Sequence, residues 1–337
     1  MTVGLAALSD LRQQVASGLD DLLPPGDVAL VDFPWNPNVG NHLMWLGAMR
    51  YLRSRGRRVV YVADAKNYRD WALRRAVGEG PILVNGGAGM NELWPDTAGL
   101  KRRVVEDFPD NPVVILPQTV YFRDQAERLR AQRLFGSHRH LTVIARERAS
   151  LEVAREAFAD ARVGLVPDLA FLLPPQRRRR PPEVDVIWLS RRDVEASGEG
   201  EAPEGVHRFD WAEMSMRDSG RAYWTLRAAG VLSRTRNRPL PQVAARPCNL
   251  ALARSYQAAS QAILAFGNEL ADRGRVFVSD RLHAHVLAVL RGQPSIVMPD
   301  AFGKNRALYE SWTHGFEHVR WADSPAQALA LAREWAG

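Results

Sequence analysis

The sequence contains one cysteine, Cys248, among 337 residues. An intramolecular disulfide and a cysteine-based zinc site both need more than one cysteine, so both are excluded within this chain. No run reaches the roughly 18 consecutive apolar residues of a membrane span, and the N-terminus lacks the basic and then apolar pattern of a signal peptide. These absences predict a cytoplasmic protein.

Lysine is also scarce: Lys66, Lys101 and Lys304 are the only lysines among 45 basic residues. This excess of arginine arises as readily from genomic composition as from function, although arginine is the better side chain for bidentate binding of phosphate and carboxylate. The net charge of +7 permits binding to nucleic acid, a membrane surface or an anionic substrate. Charge alone does not choose among them.

Short runs of valine, isoleucine and leucine alternate with longer amphipathic stretches, which is the pattern of βαβ units with buried parallel strands. The predicted strands cover residues 28–33, 58–63, 81–84, 112–116, 142–145, 164–166, 184–189, 206–209, 275–278, 295–298 and 318–321. The clearest predicted helix covers residues 41–53, and helix-rich stretches are predicted at 213–234 and 250–270. The chain is therefore predicted to be an α/β protein.

A segment rich in proline and arginine, PPQRRRRPP, interrupts this alternation. It can form neither a helix interior nor a central strand, so we predict an Arg/Pro linker at 176–182 between domains at 1–175 and 183–337. No aromatic residues interleave with its arginines, which favours a solvated hinge over a nucleic-acid patch, and no nucleic acid is predicted as a partner. The sequence leaves open which domain the last helix, 325–335, packs against.

The loop PWNPNVGNH follows the first predicted strand and leads into the first helix. Its Asn38, Gly40 and Asn41 are predicted to let the backbone approach a substrate, with free N–H groups of the helix start facing an anion. An ordinary turn in which an asparagine caps the helix explains the same residues equally well.

A glycine-rich segment, NGGAG, follows the third predicted strand and places Gly86 and Gly87 among the predicted substrate-binding residues. Its spacing does not match a dinucleotide fingerprint, because Glu92 stands where the last glycine should be. A P-loop lysine is missing, as are the HExxH, GxSxG and paired-cysteine motifs. The sequence therefore requires no cofactor and predicts no metal site.

Two further loops end predicted strands: Gln118 lies in LPQTVYF and Arg146 lies in ARERAS. In an open parallel sheet such loops emerge at one edge, where ligands bind, so both residues are predicted to bind substrate. Pairing of Arg146 with Glu147 or Glu152 is the alternative.

The most specific local signal is the stretch VFVSDRLHAHVLAVLRGQPSIVMPD. Its Asp280 follows a buried strand, and Arg281 and His283 fall in the first turn of a helix at the ligand-facing edge. Histidine titrates near neutral pH, so His283 is a candidate proton donor, although a packed helix residue is the alternative. The next loop adds Lys304 and Asn305 as predicted substrate-binding residues.

At these residues the sequence resembles the polysaccharide pyruvyl transferase family, in its exopolysaccharide-biosynthesis branch. The segments NVGNHLMWLG, NGGAG, LPQTVYF, ARERAS, VPDLAF and SDRLHAHVLAVLRGQPSIVMPDAFGKNRALYESW carry the resemblance, in that order. The chain departs from the family at Asn41, where an aspartate usually follows the glycine. An amide cannot act as a base, so the function of that carboxylate is lost here or is carried out differently.

The resemblance implies two Rossmann-like domains that face each other across a cleft, as in GT-B glycosyltransferases. It also implies transfer of the enolpyruvyl group of phosphoenolpyruvate to two hydroxyls of one sugar, with a pyruvate ketal and phosphate as products. Phosphoenolpyruvate carries two anionic groups, which suits Arg146 and Arg281, and His283 is the candidate acid. Asp280 is predicted either to orient the histidine or an incoming hydroxyl, or to cap the helix.

The partners implied are phosphoenolpyruvate and a saccharide acceptor. Whether the acceptor is lipid-linked, and whether the protein works at the inner face of the membrane, are left open by the sequence. Two other functions also stay open. One is a nucleotide-sugar glycosyltransferase of GT-B type, and the other is a non-enzymatic protein that binds polyanions through many arginines.

Overall fold

The computed structural model describes residues 2–88, 90–197, 206–211, 220–238 and 242–336. Two sheets form the frame, and every strand pairing among the described residues is parallel. Helices pack against both sheets. The predicted α/β class is therefore confirmed.

The first sheet has the strand order β2-β1-β3-β5-β6-β7, with the short β4 beside the end of β5. Its strands are β1 Val28–Val31, β2 Val59–Ala63, β3 Ile82–Val84, β4 Gly87–Ala88, β5 Val113–Thr119, β6 Leu141–Ala145 and β7 Arg162–Leu165. The helices of this half are α1 Thr2–Leu22, α2 Val39–Ser54, α3 Asp70–Val77, α4 Pro95–Asp107, α5 Gln125–Phe135 and α6 Arg148–Ala157, followed by a 3-10 turn at Leu169–Leu172.

The second sheet has the order β12-β11-β10-β8-β9. Its strands are β8 Val184–Leu189, β9 His207–Phe209, β10 Gly274–Ser279, β11 Ser295–Val297 and β12 Val319–Trp321. The helices are α7 Arg221–Arg236, α8 Gln242–Asp272, α9 Leu282–Arg291, α10 Lys304–Leu308 and α11 Pro325–Ala336, with a π-helical turn at Tyr309–Thr313. The last helix, α11, packs on this sheet, and its Ala328 and Ala332 belong to the sheet's own apolar cluster.

The predicted strands all overlap observed ones, with ends that differ by a few residues. The long helix α1 and the two-residue strand β4 were not predicted. Gly89 of the predicted glycine loop and residues 213–219 of the predicted helical stretch lie outside the described residues.

The two halves share one continuous apolar core, which includes Leu30 and Val114 of the first sheet and Ile187 and Phe277 of the second. The hairpin of α7 and α8, from the second half by sequence, packs on α2 and β2 of the first half. The two sheets thus separate along the chain between β7 and β8, whereas the helices do not. The domain boundaries stay a prediction.

The predicted linker contains no helix or strand and its arginines are exposed. It is nevertheless attached to the second half, because Arg178 donates to the carbonyls of Asp272 and Gly274 at 2.6 and 2.7 Å. The backbone N–H of Gln176 also donates to the carbonyl of Leu290. Among the described residues, no helix is long and apolar enough to cross a membrane.

Candidate active site

A pocket of about 330 Å³ opens where the carboxyl-end loops of both sheets meet. We call it the arginine pocket, because Arg146, Arg191 and Arg281 line it together with Lys304. Asp193 and Glu195 are the carboxylates in its wall. The predicted site residues that line it are Asn38, Asn41, Gly87, Arg146, Arg281, His283 and Lys304.

The loop after β1 and the start of α2 form one wall of the arginine pocket. Asn38 is the N-cap of α2, and its side chain accepts from the N–H of Gly40 at 3.1 Å. Gly40 lies directly against His283: a Cβ atom at position 40 would come within 2.5 Å of the imidazole ring. Only glycine allows this approach, so Gly40 belongs to the site although it does not line the pocket.

Arg146 is buried at the end of β6, where three groups hold its guanidinium. Nη1 donates to Oδ2 of Asp168 at 2.9 Å, while Nε and Nη2 both donate to Oγ1 of Thr119 at 3.0 and 2.8 Å. Of the two carboxylates given as alternative partners, Glu147 is also in contact but looser, with 3.6 Å between Nε and Oε2. The guanidinium is therefore fixed before any substrate contacts it.

His283 lies in the first turn of α9, and its Nε2 is 3.1 Å from Oδ2 of Asp168. The histidine side chain is 11% exposed and the aspartate is fully buried. Burial would raise the pKa of Asp168, but the charges of His283 and Arg146 hold that pKa well below its usual range. Burial lowers the pKa of His283, and the carboxylate of Asp168 partly offsets this.

Arg281, at the other side of the pocket, forms a bidentate pair with Asp210, at 2.7 Å from Nε and 2.6 Å from Nη2. Its Nη2 also donates to Oδ2 of Asp193 at 3.1 Å. Asp193 in turn accepts from Nε and Nη2 of Arg191 at 2.9 and 3.0 Å. Burial would raise the pKa of Asp193, but the bonds to Arg191 bring it down to about 2.

Lys304 begins α10 and reaches Oε1 of Glu195 at 2.5 Å. Glu195 also pairs with Arg191, so one buried carboxylate contacts two of the cations of the pocket. Burial would raise the pKa of Glu195, but the charges of Lys304 and Arg191 hold it below its usual value. All four cations of the pocket thus face carboxylates of the protein.

Within the described part of the chain, no hydrogen bond joins Asp280 to His283, which corrects one of its predicted roles, that of orienting the histidine. Its carboxylate accepts from the backbone N–H of Arg191 at 2.8 Å and lies 3.4 Å from the hydroxyl of Ser190. It does not cap α9 either, since the residue at the N-cap is Arg281, whose N–H donates to Oγ of Ser279. Burial raises the pKa of Asp280 to about 6. Its observed contacts tie β10 to the loop after β8.

Asn305, Gly86 and Gln118 are buried and lie outside the wall of the arginine pocket. Asn305 donates through Nδ2 to the carbonyls of Asp280 and Met298 at 2.6 and 2.9 Å, so its contacts join two strand ends. A Cβ at Gly86 would come within 2.0 Å of the carbonyl of Pro117. Both side-chain polar atoms of Gln118 lack a hydrogen-bond partner among the described residues.

Several residues of the site were not predicted from the sequence, namely Asp168, Arg191, Asp193, Glu195 and Asp210. Asp168 had a usable signal, because it is the aspartate of VPDLAF and follows β7 just as the predicted residues follow their strands. Among the described residues, no group of three or more His, Cys, Asp and Glu side chains is arranged to hold a metal ion.

A profile of the polysaccharide pyruvyl transferase family matches residues 38–300, which include every predicted site residue except Lys304 and Asn305. The chain belongs to this family. Pyruvyl transferase 1 of Schizosaccharomyces pombe is 31% identical over 324 residues, which cover 91% of this chain and 76% of that protein. The Bacillus subtilis (strain 168) protein named pyruvyl transferase EpsO is 26% identical over 93% of this chain and 94% of its own.

A solved structure supports the fold. An uncharacterized protein from Klebsiella pneumoniae subsp. pneumoniae NTUH-K2044 superposes with a TM-score of 0.58, at 16% identity, over 93% of this chain and 99% of that one. This likeness concerns the fold alone, and the predicted family is confirmed by the family profile and the two relatives.

Proposed function

We propose that this protein transfers the enolpyruvyl group of phosphoenolpyruvate to two hydroxyls of one sugar in a polysaccharide or glycolipid precursor. The products are a cyclic pyruvate ketal and inorganic phosphate. The observation that carries the proposal is the contact of His283 and Arg146 with one oxygen of Asp168, at 3.1 and 2.9 Å, at the edge of a pocket with four cations.

The charge of the arginine pocket suits the donor. Phosphoenolpyruvate presents a phosphate and a carboxylate on three carbons, so it needs cations that converge from more than one direction. Arg146 comes from the first sheet, whereas Arg281 and Lys304 come from loops of the second. Guanidinium groups bind both kinds of anion in a bidentate manner. The donor would replace the carboxylates that now contact Arg281 and Lys304.

His283 would act as the general acid. It gives a proton to the methylene carbon of the donor, which makes C2 electrophilic, and a sugar hydroxyl attacks C2. The second hydroxyl then replaces the phosphate. The sugar releases two hydroxyl protons. One replaces the proton that His283 gave to the new methyl group, and the other leaves on the phosphate. A bound phosphate raises the pKa of a nearby imidazole, which would counter the effect of burial on His283.

The decisive experiment is incubation of the purified protein with phosphoenolpyruvate and a set of saccharide acceptors. We expect phosphate release that depends on the acceptor, and an acceptor whose mass rises by pyruvic acid less one water. Release of a nucleoside diphosphate from a nucleotide sugar, without use of phosphoenolpyruvate, would instead identify a glycosyltransferase.

A further inference from the structure

A second pocket, of about 140 Å³, lies beside the arginine pocket at the carboxyl ends of β1, β2 and β3. We call it the aspartate pocket, because Asp32, Asp64 and Asp96 line it. The two pockets share four lining residues, Asn36, Asn41, Gly87 and Thr97. A molecule in one pocket would therefore lie next to a molecule in the other.

The two pockets carry opposite charge. Three aspartates and one lysine, Lys66, are the charged residues that line the aspartate pocket, whereas cations outnumber carboxylates in the arginine pocket. An anion such as phosphoenolpyruvate is disfavoured near three carboxylates. Carboxylates are acceptors only, so they suit a neutral ligand rich in hydroxyl donors. The charges thus favour an anionic donor in the arginine pocket and a neutral ligand in the aspartate pocket.

Asp32 has an unusual backbone conformation, with a φ of 69°, and is the only non-glycine residue with positive φ among the described residues. Its Oδ2 lies 3.4 Å from Nζ of Lys101, which is completely buried. Burial raises the pKa of Asp32, while Lys101 opposes this rise. A strained residue and a buried charge pair both cost stability, and such features cluster at functional sites.

The Asp32 carboxylate has hydrogen-bonding capacity left after its contact with Lys101. Among the described residues, none donates to its Oδ1, and its side chain is partly open to the pocket. Asp64 differs, because its carboxylate already accepts from the N–H groups of Lys66 and Asn67 and from the hydroxyl of Tyr256. Asp96, the third aspartate, is exposed to solvent. Asp32 is therefore the buried carboxylate of this pocket that keeps accepting capacity for a ligand.

Two further lining residues indicate the kind of ligand. Asn85 is only 2% exposed, and within the described part of the chain nothing donates to its Oδ1. A buried amide oxygen without a donor is costly unless a ligand supplies one. Trp35 also lines the pocket and is 37% exposed. A partly exposed indole next to polar acceptors is suited to the C–H face and the hydroxyls of a pyranose ring.

We propose that the aspartate pocket binds the acceptor sugar, an inference that rests on the proposed function. Asp32 and Asn85 accept hydrogen bonds from hydroxyls of a neutral pyranoside, and Trp35 packs on its apolar face. Lys101 positions Asp32. The shared wall at Asn41 and Gly87 brings the sugar hydroxyls toward the donor in the arginine pocket.

Direct saccharide binding tests the pocket without any need for turnover. Saturation-transfer-difference NMR would be recorded with methyl glycosides of glucose, galactose, mannose and N-acetylglucosamine, for the wild type, Asp32→Asn and Trp35→Ala. Asparagine tolerates positive φ, and Trp35 is partly exposed, so both variants should fold, which circular dichroism would check. The matched control is Asp27→Asn, at the opposite end of β1 in an exposed pair with Arg58.

We expect at least one glycoside to bind the wild type and Asp27→Asn. The same glycoside should bind Asp32→Asn and Trp35→Ala at least about 10-fold more weakly. Binding of phosphoenolpyruvate, measured by calorimetry, should be the same in all four proteins. Equal glycoside binding in all four, or none in the wild type, would overturn the pocket assignment. Lack of phosphate release by the wild type would instead overturn the proposed function, whatever the glycosides show.

Discussion

Nε2 of His283 lies 3.1 Å from Oδ2 of Asp168, although 115 positions separate the two residues in the chain. Nη1 of Arg146 donates to the same oxygen, so one carboxylate joins a pocket arginine of the first half to the histidine of the second. An ionised carboxylate only accepts, so Nε2 carries a proton and Nδ1 is the atom that gains or loses the second one. Asp168 therefore sets the tautomer of His283, and its charge partly offsets the lowering of the histidine pKa by burial.

Asp168→Asn should lower kcat by about 10²-fold or more, because the asparagine no longer stabilises the imidazolium. Its Oδ1 can still accept from the N–H of Ala170, as Asp168 does, so the local fold should persist. Asp168 raises the pKa of His283, so its removal lowers that pKa. The alkaline fall of kcat should consequently begin at lower pH in the variant, which pH–rate profiles would show. An unshifted profile would argue against the pair.

His283→Gln should keep phosphoenolpyruvate binding but lower turnover by roughly 10²- to 10⁴-fold, as expected for loss of a general acid. His285→Gln is the control from the same helix. His285 is buried between the hydroxyls of Ser295 and Thr313, and burial lowers its pKa to about 3, so it stays neutral near pH 7. The replacement of His285 should lower the free energy of unfolding, whereas turnover should fall much less than in His283→Gln. If His283→Gln turned over near the wild-type rate, His283 would not be the general acid and would only pack in the helix.

The elements that the sequence predicts well are those with a local cause. Buried runs such as Val113 to Ile115 identify their strands, and Gly292 ends α9 in the left-handed conformation expected of a helix stop. No local sequence pattern predicts where the hairpin of α7 and α8 packs. Its place on β2 depends on contacts between residues far apart in the chain, such as Asn249 Oδ1 with the N–H of Val62.

The same distinction applies to the site. Loops after strands indicated Arg146, Arg281 and His283 because each of them follows or ends a strand in its own segment. Orienting the histidine was one of the roles predicted for its neighbour Asp280, yet the fold supplies Asp168 from the first half as its partner. A sequence pattern identifies which residues face an edge, whereas the pairing across two sheets needs the three-dimensional fold.

Arg281→Lys should weaken phosphoenolpyruvate binding by about 10- to 100-fold, because lysine keeps the charge but loses the bidentate geometry. Calorimetry of donor binding would measure the change. The matched control is Arg291→Lys, a buried arginine that pairs with Asp272 at 2.5 Å outside the arginine pocket. It should affect stability while donor affinity stays unchanged. Equal losses in both variants would mean that the effect is structural and that Arg281 does not bind the donor.

Glu195→Gln should tighten phosphoenolpyruvate binding, by roughly 5- to 10-fold. The carboxylate of Glu195 contacts both Lys304 and Arg191, so it competes with the donor's anionic groups for the same two cations. A neutral amide competes less, and a larger fraction of the protein is then ready to bind. Titration calorimetry with phosphoenolpyruvate, beside a Glu334→Gln control from the exposed pair with Arg320, would measure the change. Weaker binding in Glu195→Gln would show instead that this carboxylate holds Lys304 and Arg191 in place for the donor.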